Sequence, residues 1–190
     1  VGESRTSTAV VDPTGGTYTE INEWGPAVQP GELDTLLEKL RYLTQDAEFV
    51  VFAGSLPRDV EDDFYAEAVR ELAKRHVSTV LDTEGEPLRL GVEAEPFLVS
   101  PNQAEAEGVV GQELYEDDEF CLALDQIAEM GARNVIITTE AGCVALLREE
   151  RETHRFRAVA PRVEPVSTVG SGDVLLAAYL AARHAGFYVP

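Results

Sequence analysis

The sequence predicts an α/β fold: a mostly parallel sheet covered by helices on both faces, with a small β appendage at its amino end. Three observations predict it. Short apolar runs such as EFVVFA (48–53) and NVIIT (134–138) are continuous rather than alternating, as in strands covered on both faces. Stretches with apolar residues at helical spacing separate these runs. Residues 1–24 break that rhythm and read as a β-hairpin lid, which leaves 25–190 as the α/β domain.

Each element has its own signal. Arg5 to Val11 partly alternates, Asp12-Pro13-Thr14-Gly15-Gly16 has the composition of a turn, and Thr17 to Ile21 resumes the alternation. After Pro30, Leu33, Leu36, Leu37, Leu40 and Leu43 recur along one helix face. Glu48 to Ala53 ends in Gly54 and reads as a buried strand. Asp59 to Arg75 reads as a second helix, with Phe64, Ala68 and Leu72 on one face. Val77 to Asp82 and Pro96 to Ser100 are further strands, and Asn102 then stands as a helix N-cap. Glu116 to Met130 is helical, Asn134 to Thr138 is a strand, and Val144–Leu147 and His154–Val159 add two more. From Gly170 a small-residue helix begins, and Ala177, Ala178, Ala181 and Ala182 are expected to let it pack tightly.

Composition bounds the function. The 190 residues suffice for one domain with a sizeable core. No apolar stretch is long enough to cross a membrane, and the amino end lacks a basic segment followed by an apolar run, so a cytoplasmic protein is expected. Met130 is the only methionine and none begins the chain, which is expected to be a piece of something longer. Thirty-five Asp and Glu against fifteen Lys and Arg give a net charge of -20, which repels nucleic acid and anionic membranes. Only Lys39 and Lys74 are lysines, and few lysines with many acids is how a salt-adapted, halophilic surface looks. Cys121 and Cys143 form no CxxC pair and are expected to be reduced thiols in a core. His76, His154 and His184 lack metal-ligand spacing, which argues against zinc.

Ligands of parallel sheets bind beyond the carboxyl ends of the strands. The residues there are Gly54-Ser55-Leu56-Pro57, Asp82-Thr83, Ser100-Pro101-Asn102, Thr138-Thr139-Glu140 and Thr168 to Asp173. The most specific is Gly170-Ser171-Gly172-Asp173. Glycines let backbone approach a ligand, and the first N–H groups of a helix are unpaired donors that suit a transferring phosphoryl group. Asp173 beside such an anion hole is placed to take a proton from an attacking hydroxyl. The plainer reading of the same four residues is a helix start with an acid in its first turn.

The wider context resembles a known family. Ser167-Thr168-Val169-Gly170-Ser171-Gly172-Asp173, followed by Ala177-Ala178-Tyr179-Leu180, is similar to the carboxyl-terminal signature of the ribokinase-like, PfkB-type carbohydrate kinases. Gly2-Glu3-Ser4-Arg5-Thr6 resembles their sugar-phosphate lid strand. Gly54-Ser55-Leu56-Pro57 resembles a segment of the 1-phosphofructokinases and tagatose-6-phosphate kinases, and Val99 to Glu105 their KPN-x-x-E element. The four motifs stand in the family's order over nearly the whole chain.

The resemblance implies a ribokinase-like three-layer sandwich with a β lid. It implies ATP- and Mg²⁺-dependent phosphorylation of a sugar phosphate, most simply fructose 1-phosphate to fructose 1,6-bisphosphate. In that reading Asp173 is the catalytic base, and Gly170, Ser171 and Gly172 form the anion hole. Arg5 and Ser55 bind the substrate's phosphate. Asn102 and Glu105 act on the Mg²⁺–ATP side through water, with Thr138 and Gly142 in the nucleotide loop. It also implies a homodimer formed through the lid. Without the resemblance, Asn102 reads as an N-cap, Glu105 as a first-turn acid and Arg5 as an exposed strand residue. The sequence departs from the family pattern at Ser100, where a Lys is usual, and at Glu140 and Cys143, where glycines are usual. Arg58-Asp59 replaces a small or Pro-Gly pair, and Ser171 replaces the commoner Ala. The family's amino-terminal sugar-binding elements would precede Val1, and the helices completing its adenine pocket would follow the Asp173 helix. Two other readings stay open: a kinase of another sugar or sugar acid, and a non-catalytic nucleotide-binding fragment.

The charge balance generates a direct expectation. Screening relieves self-repulsion, so the melting temperature rises with KCl concentration. A thermal melt across a KCl series checks it, and a flat or falling trend removes the salt-adapted reading.

Overall fold

The computed structural model describes residues 3–12, 14–15, 17–149, 152–161 and 169–187. Gly2 of the lid motif, Pro13 and Gly16 of the first turn, and Ser167 and Thr168 of the final signature lie outside the described residues. Two sheets are present among those described. The first is a hairpin of β1 (Ser7–Asp12) and β2 (Thr17–Asn22), antiparallel, with Ser7 opposite Asn22 and Asp12 opposite Thr17. The Asp12 carboxylate accepts the Thr14 N–H at 2.9 Å, an Asx contact that closes the turn.

The second sheet has six strands in strict chain order: β3 (Phe49–Ala53), β4 (Ser78–Asp82), β5 (Leu98–Val99), β6 (Asn134–Thr139), β7 (Gly142–Glu149) and β8 (Glu152–Val159). β3 to β6 pair in parallel, and β7 is antiparallel to both of its neighbours. β8 therefore runs with β6, and its carboxyl end lies on the same edge as those of the parallel strands. Helices α1 (Pro30–Leu43), α2 (Phe64–Ala73), α3 (Gly85–Val92), α4 (Gln103–Val110), α5 (Asp117–Met130) and α6 (Ser171–His184) connect or follow the strands.

Side chains on the central strands alternate between two cores. Leu81, Val99, Val135, Ile137 and Leu146 pack with α2 to α5 on one face. Val80, Leu98, Ile136, Ala145 and Leu147 pack on the other, under Leu176 of α6. Both faces are covered, which is why these strands read as unbroken apolar runs.

Several expectations need correction. β3 is not buried: among the described residues it is an edge strand bonded to β4 alone, and Val51 is 43% exposed. α2 begins at Phe64 rather than Asp59, because Val60 and Phe64 first close turns onto Pro57 and Glu61. α3 was not anticipated. Gly85, Pro87 and Gly91 masked it, yet Gly91 is needed there, since a Cβ on it would lie 2.5 Å from Leu81 Cδ1. The alanines of α6 do not pack on the sheet: Ala177, Ala178 and Ala181 are exposed, and Leu175, Leu176, Tyr179 and Leu180 make the contact. Cys121 is not in a core but on the exposed side of α5, whereas Cys143 is half-buried.

One glycine holds the β6–β7 crossing. Gly142 has φ 140°, and a Cβ on it would lie 2.0 Å from the Ala158 carbonyl oxygen of β8. Gly142→Ala should thus destabilise the protein by about 2–4 kcal/mol, through backbone strain and overpacking that no rotamer relieves. Chemical denaturation of both proteins measures it.

Candidate active site

The carboxyl edge of the sheet gathers the polar residues. Gly54 follows β3 with φ 91°, a left-handed conformation that suits glycine. Its N–H donates to the Asp82 carbonyl at 2.8 Å. Its own carbonyl accepts the Thr83 hydroxyl at 2.9 Å and the Tyr65 hydroxyl at 3.0 Å. These bonds tie the end of β3 to the end of β4 and to α2, and they fix Ser55 at the rim.

At the start of α4, Asn102 and Glu105 form a reciprocal capping box. The Glu105 N–H donates to Asn102 Oδ1 at 3.0 Å, and the Asn102 N–H donates to Glu105 Oε2 at 2.8 Å. The N-cap reading of Asn102 is therefore correct as local structure. The end of β6 is drawn to the same point: Thr138 N–H donates to the Pro101 carbonyl at 3.0 Å, and Asn102 and Thr138 form a parallel bridge.

α6 starts from the opposite face. Gly170 is its N-cap with φ 79°, a left-handed turn that Cβ-bearing residues adopt at a cost. Gly172 differs. Its φ is not left-handed, and a Cβ there meets nothing within 4 Å among the described residues. Among the described residues, the space beside Gly172 is open. Asp173 lies in the first turn and is exposed.

Three clefts follow this edge in sheet order. The first, about 800 Å³, lies at the base of the hairpin and is lined by Arg5, Trp24, Ser55, Arg58 and Glu84, among others. The second, about 270 Å³, is lined by Gly54, Ser55, Asp82, Thr83, Glu84, Glu105 and Asp173. The third, about 890 Å³, includes Asn102, Thr138, Glu140, Cys143 and Arg157 in its walls. Ser55 and Glu84 belong to both the first and the second, while the Asn102–Glu105 capping box divides the second from the third. Arg5, Ser55, Asp173, Glu105, Asn102 and Thr138 thus line three clefts of the same edge. Gly142 is not among the residues lining these clefts, although its neighbours Ala141 and Cys143 line the third. Asp82 stood out in the sequence only as a strand end, and Glu84 not at all. An acid closing a parallel strand was the available signal.

The central cleft is electrostatically tense. Burial pushes the Asp82 carboxyl above its usual range, and the charge of Asp173 adds to this. Burial likewise pushes Glu105 up, with the charges of Asp82 and Glu84 adding to the effect, against the stabilising Asn102 N–H and side chain. Asp82, Glu84, Glu105 and Asp173 line this cleft, and carboxylate oxygens are the kind of donor that suits a hydrated Mg²⁺. No group of three or more His, Cys, Asp or Glu among the described residues is arranged to hold a metal ion directly. No helix is long and apolar enough to cross a membrane among the described residues.

The architecture recurs in solved proteins. A structure of phosphofructokinase-2 from Escherichia coli in complex with substrates and products matches with a TM-score of 0.86 at 25% identity, over 96% of this chain and 59% of that one. The ribokinase of Arabidopsis thaliana complexed with ribose and ATP matches in fold with a TM-score of 0.69 at 17% identity, over 97% of this chain and 57% of that one. The fold is the ribokinase-like α/β fold. The family model described as pfkB family carbohydrate kinase matches residues 1–187, and the chain belongs to that family. The 1-phosphofructokinase of Bacillus subtilis (strain 168) is 32% identical over 166 residues, 87% of this chain and 54% of the relative. That of Rhodobacter capsulatus is 32% identical over 186 residues, 97% of this chain and 58% of the relative. The chain spans a little over half the length of the curated relatives it matches.

The raised Asp82 carboxyl generates a test. A carboxyl whose folded value lies above its unfolded one releases its proton at a cost to the folded state. That cost is absent at acid pH and grows as pH rises from the ordinary carboxylate range through the raised value. Asp82→Asn removes the charge and keeps the shape, so it should raise the melting temperature at pH 7, with the gain vanishing near pH 4. Melts of both proteins across pH check this.

Proposed function

We propose that this chain carries the phosphate-binding and phosphoryl-transfer parts of an ATP-dependent sugar-phosphate kinase whose substrate is fructose 1-phosphate, phosphorylated at its 6-hydroxyl. One observation carries the reading: Ser55 and Glu84 line both the Arg5 cleft and the Asp173 cleft, and the Asn102–Glu105 box stands between that and the Thr138 cleft. A molecule with a phosphate at one end and a hydroxyl at the other fits the first pair, and a nucleotide fits the third.

The residues then divide the work. Arg5 and Ser55 hold the phosphate the substrate already carries. Asp173 accepts the proton of the 6-hydroxyl as its oxygen bonds to the transferred phosphorus, while the bond to ADP breaks. The backbone N–H groups of Gly170, Ser171 and Gly172 face the charge that develops there. Asn102 and Thr138 line the nucleotide side. Glu105, with Asp82 behind it, would hold Mg²⁺ through water, and that ion neutralises phosphate charge when bound. The lid's exposed Val10, Val11 and Ile21 support pairing between two copies as a homodimer.

The test uses two variants. Asp173→Asn keeps the shape and loses the proton acceptor, so kcat should fall by about 10²- to 10⁴-fold with nucleotide affinity nearly unchanged. Gly172→Val fills space that the fold does not need, so its melt should match the parent while turnover and nucleotide binding are both lost. Parental turnover in Asp173→Asn refutes the base assignment. Turnover on fructose equal to that on fructose 1-phosphate favours a kinase of unphosphorylated sugars, and nucleotide binding without turnover favours a non-catalytic module.

A further inference from the structure

Arg58 departs from the family pattern, and the structure gives it a partner. Its guanidinium carbon lies 3.4 Å from the centroid of the Trp24 ring, a cation–π stack. Trp24 is itself 73% exposed, so the stack is not the by-product of a crowded core. It sits where the lid joins the domain. The last rung of the lid is the Glu23 N–H bonded to the Thr6 carbonyl at 3.0 Å, backed by the Thr6 N–H on the Glu23 carboxylate at 3.1 Å. Carried one residue further, the same register opposes Trp24 to Arg5. The stack thus brings a guanidinium from the loop after β3 toward the lid strand that carries the other guanidinium of the same cleft.

Charge sharpens the point. In this acid-rich chain, arginines such as Arg41, Arg89, Arg155 and Arg157 are paired with carboxylates. Among the described residues, Arg5 and Arg58, like Arg70, Arg133 and Arg148, have no carboxylate within ion-pair distance, although Glu3, Glu23, Asp59 and Glu84 line the Arg5–Arg58 cleft. Those acids oppose any anion at long range. An anion would bind there only by direct contact with the two guanidinium groups, whose planar forks match phosphate oxygens.

We propose that Arg58, held in place by stacking on Trp24, is a second phosphate-binding residue that grips the substrate's resident phosphate together with Arg5 and thereby latches the lid to the domain. The identity of the anion rests on the sugar-phosphate reading; the latch itself does not.

Trp24 is the only tryptophan in the chain, so its fluorescence reports on the stack directly. Fructose 1-phosphate, fructose and inorganic phosphate are titrated into the intact protein, and calorimetry on the same ligands gives an independent midpoint. Fructose 1-phosphate should shift Trp24 emission saturably and fructose should not. Arg58→Ala should raise the midpoint by about 10- to 100-fold, the usual effect of losing a charge-assisted contact, and Arg58→Lys should fall between. Equal midpoints for the parent and Arg58→Ala overturn the proposal, as does a parent that binds neither phosphate compound. Inorganic phosphate acting through Arg58 in a protein that phosphorylates no sugar phosphate supports the latch and removes the kinase reading.

Discussion

The carbonyl oxygen of Gly54 accepts two hydroxyl protons, one from the end of β4 and one from α2, while its N–H is held by Asp82. The geometry of the carboxyl edge depends on this knot. It turns the chain sharply out of an edge strand that has a sheet partner on one side only, and it holds Ser55 where the lid cleft and the central cleft meet. Strand ends fray unless their polar groups are satisfied. Here the carbonyl of Gly54 is satisfied by side chains of neighbouring elements, which ties the rim to β4 and α2.

The second organising force is repulsion. A chain with a net charge of -20 could spread its acids evenly, yet four of them line one small cleft. Asp82 and Glu105 resist ionisation there because burial and like charge act together. Such an arrangement stores free energy that a cation or a proton releases. Asp173 approaches from α6 on one face and Glu105 from α4 on the other, so the sheet's edge is the only place these charges could meet.

Much of this was legible in the sequence. Periodicity, continuous apolar runs, the cap at Asn102 and the small residues after Gly170 together pointed to the hairpin, to five of the six helices among the described residues and to the strands of the large sheet, and the motif order pointed to the family. Asn102 was readable as a cap because its side-chain chemistry is local, and Glu105 three residues on completes the box. What was not legible depends on neighbours distant in sequence. β3 reads as a buried strand, and only the strand order makes it an edge. α3 hides because Gly91 weakens helical propensity, and the reason for that glycine is Leu81 on another element. Alanines in α6 resemble a packing face, yet the bulkier Leu176 and Tyr179 reach the sheet instead. Glu84 and Trp24 join the site only through folding, and no local pattern announces either.

The strict chain order of the six-stranded sheet bears on how the site comes into being over time. Each strand pairs with its neighbour in sequence, so the sheet can grow by successive addition of adjacent elements. During synthesis the lid and the loops after β3, β4 and β5 emerge before α6, and Asp82, Glu84 and Glu105 are gathered first. Asp173 arrives from the far side of the sheet as a late, long-range contact, and only then does the full mutual repulsion of the four acids arise. An intermediate lacking α6 would hold the six-stranded sheet with a relaxed centre, and docking of α6 would complete the four-acid cleft.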